Sequence, residues 1–169
     1  MLKLMLSIAA GVGAVVAPAT EAEAALLGPD AASCRSGAGE PAVLVNVSGF
    51  KRRAGKLRVQ LYGSNPAHFL AKGKKMRRID LPVTQSGEMR VCVAVPKAGS
   101  YAIAVRHDVQ GNGSDWNDGG GFSRNPRLSL LDGKPRYAEV NIPVGNGVKP
   151  IDVVLNYRQG LSIKPIGRN

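Results

Sequence analysis

From Val43 onward the apolar residues of this chain recur at every second position rather than every third or fourth. Val43, Val45 and Val47 alternate with Leu44, Asn46 and Ser48, and Leu57, Val59 and Leu61 alternate with Lys56, Arg58 and Gln60. Met89, Val91, Val93 and Val95 form a third row, and Tyr101, Ile103 and Val105 a fourth. Successive side chains of an extended strand point to opposite faces, so this period buries one row and leaves the other wet. A helix would need its apolar residues three and four apart, and no stretch of three turns shows that spacing.

The pattern predicts two hairpins. One turns through residues 49–55, whose Lys51-Arg52-Arg53 makes a charged tip, and the other through Pro96-Lys97-Ala98-Gly99. Residues 137–142 and 151–157 read as two closing strands around the turn 143–147, and 79–83 as a weaker one, about seven strands in all. A short helical turn near 66–71 is the one exception. Ala102 and Ala104 leave room for a neighbour on the far face of their strand, whereas Arg106 and His107 mark its emergence into solvent. The expected fold is all-β, an antiparallel seven-stranded Ig-like or transthyretin-like β-sandwich over residues 42–157. At 169 residues and 44% apolar content the chain supports one modest core, with no repeat or break that marks a second.

The ends carry different signals. Met1 and Lys3 precede an apolar run over 4–16, and Ala22-Glu23-Ala24 offers the small residues a signal peptidase requires, so 1–24 reads as a signal peptide cleaved before Ala25. A retained membrane anchor is the alternative, but the run falls short of the roughly 20 residues a spanning helix needs. Residues 25–41 are then an N-terminal lead, and 158–169, with Gly160, Pro165 and Gly167, a flexible C-terminal tail. The implied address is periplasmic or secreted. In such an oxidising compartment Cys34 and Cys92 are expected to form a disulfide, and the alternative is a small buried Cys92 with an idle Cys34. Neither has an activating base nearby that would make it a catalytic thiol.

The densest polar segment is His107-Asp108-Val109-Gln110-Gly111-Asn112-Gly113-Ser114-Asp115-Trp116-Asn117-Asp118. Calcium takes several oxygen ligands from a tightly turning backbone, and Asp108, Asn112 and Ser114, with Asp115 and Asp118 recruited, form a candidate set. Gln110 and Gly119 stand where such a loop has an oxygen ligand and a closing Glu. The competing reading is a structural turn in which Asp108 accepts local amide hydrogen bonds. No cofactor other than this possible calcium is indicated. Trp116 is either an exposed platform for a sugar ring or, preferably, a lid on the sandwich edge. With Phe122 and Arg124 it forms the candidate ligand-binding set, since Gly119-Gly120-Gly121-Phe122-Ser123-Arg124 reads as a flexible segment able to fold over a ligand or, equally, as a packed irregular crossover. His107 beside Asp108 suggests a dyad, but neighbours on a strand face opposite ways and Ser123 lies in no nucleophile motif, so an enzyme is not expected.

Net charge is +11, and loss of Lys3, Glu21 and Glu23 with the signal raises it to +12. Lys51, Arg52 and Arg53 with Lys72, Lys74, Lys75, Arg77 and Arg78 form a candidate basic patch, directed at anionic envelope lipid or glycan. Too few aromatics interleave these residues for a specific nucleic-acid site, and no transmembrane segment remains after signal cleavage.

The order of these motifs resembles the bacterial exported proteins of domain-of-unknown-function family 2141, over about 42–157. The carriers are the first strand from Val43, Gly55-Lys56-Leu57-Arg58-Val59-Gln60-Leu61-Tyr62, Phe69-Leu70, the run from Gly99 to Asp108, Gly111-Asn112-Gly113, and Gly121-Phe122-Ser123-Arg124-Asn125-Pro126. The resemblance implies a prealbumin or transthyretin-type sandwich with no assigned activity. The expectation is an exported noncatalytic binding or structural module of the bacterial envelope, with a calcium-dependent carbohydrate-binding module using the 108–118 loop as the alternative.

Overall fold

The computed structural model describes residues 25–131 and 134–167. The expected signal peptide, 1–24, lies outside them, as do Asp132, Gly133 and the last two residues. Eleven strands among the described residues build a β-sandwich: β1 (Leu26–Leu27), β2 (Ala42–Ser48), β3 (Lys56–Tyr62), β4 (Arg77–Pro82), β5 (Met89–Ala94), β6 (Gly99–Asp108), β7 (Gly119–Phe122), β8 (Asn141–Val144), β9 (Val148–Val154), β10 (Asn156–Gln159) and β11 (Ser162–Pro165). One sheet has the order β1-β5-β2-β9 and the other β11-β10-β7-β6-β3-β4, with β8 joined to β6.

The alternating rows face the core as the sequence requires. Val43, Val45, Val47, Leu57, Val59, Leu61, Met89, Val91, Val93, Tyr101, Ile103 and Val105 are all buried in one cluster between the sheets. Each such burial contributes about 1.5–3 kcal/mol before chain entropy is charged against it. A second, smaller cluster lies on the outer face of the seven-stranded sheet. There Ala102 and Ala104 leave the predicted gap, and Val140, Phe69, Leu70, Phe122 and Tyr137 fill it.

The pairing of the strands differs from expectation. β2 bonds to β5 and β9, whereas β3 bonds to β4 and β6. Neither hairpin exists, because residues 49–55 and 96–99 carry the chain from one sheet to the other. An alternating row states which side of a strand faces the core, and a place in either sheet satisfies it equally. The sandwich is mixed rather than antiparallel, since β1–β5 and β2–β9 are parallel pairs. It has eleven strands rather than seven because β1, β7, β10 and β11 have four residues or fewer, too few to display a period.

Three further segments depart from their sequence reading. Residues 137–142 begin as a helical turn, α1 (Tyr137–Val140), because the Arg136 N–H donates to the Glu139 carboxylate at 2.7 Å and Tyr137 turns onto Phe69. The tail is a hairpin through Pro165, with Arg158 opposite Ile163 and Gln159 opposite Ser162. The glycine triplet is strand β7 rather than a flexible cover. A Cβ on Gly119 would lie 2.5 Å from the Tyr157 ring, and one on Gly121 would lie 2.7 Å from Val153, so only glycine lets β7 pack this closely on β9 and β10.

The lead is also part of the fold. β1 runs beside β5, a 3-10 turn (Ala31–Cys34) follows, and a disulfide joins Cys34 to Cys92 with Cα atoms 5.8 Å apart. Closing a loop of this length stabilises the chain by about 4 kcal/mol in the entropy model. Asp30 fixes the same corner: its carboxylate accepts the Ala94 N–H at 3.1 Å and pairs with Arg77. The 3-10 turn Pro66–His68 occupies the expected short helical position.

Candidate functional site

β6 ends in the polar loop 109–118, and its last two residues face opposite ways as a strand demands. His107 does not emerge into solvent; it is fully buried. Its Nε2 lies 2.8 Å from the Ala54 carbonyl and its Nδ1 lies 2.6 Å from the Tyr157 hydroxyl. A carbonyl can only accept, which assigns the proton to Nε2 and leaves Nδ1 to accept from the tyrosine. The same tyrosine oxygen accepts the Lys51 N–H at 3.1 Å, so one neutral tautomer satisfies every partner. Burial lowers the His107 pKa against the Ala54 bond and the carboxylates of Asp118 and Asp108, and it pushes Tyr157 up to about 12. Ser123 stands apart, its hydroxyl bonded to Ile103 and Val140.

The acidic residues of the loop turn inward to the backbone. Asp108 accepts the Gly111 N–H at 2.7 Å and the Gly113 N–H at 2.9 Å, one on each oxygen. Asp118 accepts Val109 and Asp115 amides, and Asp115 accepts the Asn117 N–H and the Gln110 side chain. Asn112 donates to Gln110. Arg106 lies 3.6 Å from Asp108 and 3.8 Å from Asp118. The candidate calcium set of Asp108, Asn112, Ser114, Asp115 and Asp118 is therefore dispersed around a turn. No group of three or more metal-ligating His, Cys, Asp or Glu side chains occurs among the described residues. The Asp108 carboxyl is held below its ordinary pKa by these amides and by Arg106, against the opposing effect of desolvation.

On the outer face of the seven-stranded sheet the same loop borders a groove of about 300 Å³. Gly120 supplies its bare floor, Phe122, Leu128, Leu130, Pro135 and Ile163 its apolar walls, and Asp115, Asp118, Lys134, Asn156 and Arg158 its polar margin. Trp116 stands at the rim, 75% exposed, with the Arg158 guanidinium 4.7 Å from its ring centre. Most of its surface is open to solvent. A second depression of about 340 Å³ adjoins the groove and shares Leu128, Lys134 and Pro135 with it; Arg127, Ser129, Arg136 and Glu139 complete it. Trp116 and Phe122 of the candidate ligand set thus meet at one site. Arg124 does not join them, because it is held to the Ala138 carbonyl at 2.8 Å on the side facing β9.

The basic residues divide between two ends of the molecule. Residues 49–55 precede β3, whereas Arg77 and Arg78 pair with Leu61 and Gln60 at its far end, so the length of β3, about 20 Å, separates the runs. Arg77 is held by Asp30, and Arg78 by Asp80 at 2.5 Å. Arg53 lies over the Phe50 ring. Lys51 and Arg52 border a shallow depression of about 280 Å³ with Val109, Gln110 and Asn117, on the Trp116 side of the molecule. Lys74 lies at the opposite end beside Met76 and the 97–101 turn. The single basic patch is corrected to two separate clusters, one of them partly neutralised. Sequence reasoning missed Arg158, Ile163, Leu128, Leu130 and Lys134, since the tail read as frayed and 126–136 carries no period.

No helix among the described residues is long and apolar enough to cross a membrane. The family described as "Uncharacterized protein conserved in bacteria (DUF2141)" matches residues 45–152. Comparison with curated proteins and with solved structures returned no match.

Proposed function

The chain belongs to this uncharacterized family conserved in bacteria, and we propose that it is an exported, noncatalytic binding module of the bacterial envelope. Its ligand face is the Trp116 groove together with the basic depression beside it. The observation that carries the reading is the exposed Trp116 ring, stacked on Arg158 above an apolar floor. Large apolar side chains left in water on a framed surface mark a place where a partner sits. The Cys34–Cys92 disulfide suits an oxidising compartment, and the apolar leader suits export. The excess of positive charge suits an anionic neighbour. The transthyretin-like arrangement implied by the family resemblance is the finer fold we adopt for the sandwich.

Among the described residues that line the groove, no nucleophile is paired with a base. Both nitrogens of His107 are committed to Ala54 and Tyr157, which supports a binding rather than a hydrolytic role. The calcium-dependent alternative has weaker support, because the oxygens it needs already accept backbone amides.

Trp116 is the sole tryptophan, so its fluorescence reports the site directly. Titration of the purified protein with phosphatidylglycerol vesicles, a sulfated polysaccharide and a neutral glycan is expected to give a saturable emission shift with at least one anionic probe. Co-sedimentation or gel retardation of Trp116→Ala is expected to show at least tenfold weaker binding. No response to any anionic probe would overturn the reading.

A further inference from the structure

We infer that the partner of this face is the surface of an anionic lipid bilayer, on which the protein docks peripherally; the inference rests on the binding reading above. Three large apolar side chains at the groove lining or next to it in the chain stay open to solvent. Leu131, next to the wall residue Leu130, is 97% exposed, and Trp116 is 75% exposed. Leu161, at the tip of the hairpin whose Arg158 and Ile163 line the groove, is 89% exposed. A sugar ring needs a flat aromatic face, and Trp116 alone would supply it. Two protruding leucines beside that tryptophan fit hydrocarbon, the arrangement of a protein that lies in a membrane interface.

The charge around these residues selects the lipid. Over residues 127–136 the sequence carries Arg127, Lys134 and Arg136 against one acid, Asp132. Glu139 holds Arg136 at 3.1 Å, whereas Arg127 and Lys134 have no ion-pair partner among the described residues. Arg158 lies in the groove margin. The acids of the margin are engaged elsewhere, Asp115 by Gln110 and Asn117, and Asp118 by Arg106 and two backbone amides. Cations flanking exposed apolar tips match phosphate groups above acyl chains. A second copy of the chain is the poorer occupant, because it would bring the same cations against themselves at a net charge of +11.

The test is sedimentation of the purified protein with phosphatidylglycerol and with phosphatidylcholine vesicles, read together with Trp116 emission. Phosphatidylglycerol vesicles are expected to carry the protein down and shift the emission to the blue, at least tenfold more strongly than phosphatidylcholine. The double variant Leu131→Ser, Leu161→Ser is expected to lose tenfold or more in vesicle affinity with an unchanged melting curve. Absence of binding to phosphatidylglycerol would overturn the inference. So would binding that the double variant leaves intact, which is mere adsorption of a cationic protein, or binding abolished by millimolar glycerol phosphate, which is capture of a free headgroup. If the sulfated polysaccharide shifts Trp116 and the vesicles do not, the lipid partner falls and the binding module stands; if neither acts, both fall.

Discussion

Two neighbouring parts of this molecule use polar and apolar residues in opposite ways. From His107 to Gly113 every titratable side chain is consumed internally: the imidazole by Ala54 and Tyr157, and the Asp108 carboxylate by the Gly111 and Gly113 amides. A few residues on, Trp116 stands in solvent above an apolar groove, with cations around it. The denser set of chemically able groups is the scaffold, and the side chains left without internal work form the candidate site. A polar cluster in sequence is thus a weak pointer to function when a backbone turn is there to consume it.

The comparison breaks most severely at its scaffold half. Gly119→Ala places a methyl within 2.5 Å of the Tyr157 ring and displaces the hydroxyl that His107 and Lys51 share. Chemical denaturation is expected to show a loss of about 3 kcal/mol, within the usual range for overpacking. Asp108→Ala removes the acceptor of two amides and is expected to cost about 2 kcal/mol. Calcium is expected to leave the melting of both the parent and this variant unmoved, whereas a stabilising shift in the parent alone would restore the metal loop.

Acid provides a gentler perturbation. Because burial lowers the His107 pKa in the folded protein, the unfolded chain binds more protons as pH falls through the unfolded value of about 6.5. Stability contributed by the neutral imidazole is therefore complete above that pH and declines below it, toward the folded pKa. The depressed carboxyls of Asp108, Asp80 and Glu139 add losses only at lower pH, below about 4.5. Melting temperatures between pH 7.5 and 5 are expected to fall in the parent and to flatten in His107→Gln. Equal slopes in the two would remove His107 as the acid-sensitive element.

The open half responds in binding and hardly at all in stability. Lys74→Glu with Lys75→Glu, at the far end of the molecule, is expected to weaken association with anionic vesicles less than twofold. Arg127→Glu with Lys134→Glu, beside the groove, is expected to weaken it several-fold and to reduce its salt dependence. The reverse order would return the docking surface to the 72–78 run.

What the sequence discloses follows from these physical differences. The core was legible because burial imposes a period of two on Val43, Val45 and Val47 and on Leu57, Val59 and Leu61. Their partners were not, since an inward face is the same on either sheet. The disulfide was legible from an even cysteine count, and the structure pairs Cys34 with Cys92. Trp116 and Phe122 could be singled out by rarity, but Arg158, Ile163, Leu130 and Lys134 could not. Arg158 and Ile163 reach the groove only because two four-residue strands, β10 and β11, fold the tail back beside β7, and Leu130 and Lys134 reach it from the aperiodic segment 126–136. His107 was misjudged because an Arg-His-Asp sequence reads as solvent, whereas the strand's alternation turns the middle residue into the core.

The most direct measurement is the emission of Trp116 during titration with phosphatidylglycerol vesicles, run once in calcium and once in chelator. The account expects the same saturable blue shift in both, because the recognising surface is the exposed tryptophan face and the acidic loop serves only to hold it. A shift that requires calcium, or no shift in either condition, would contradict it.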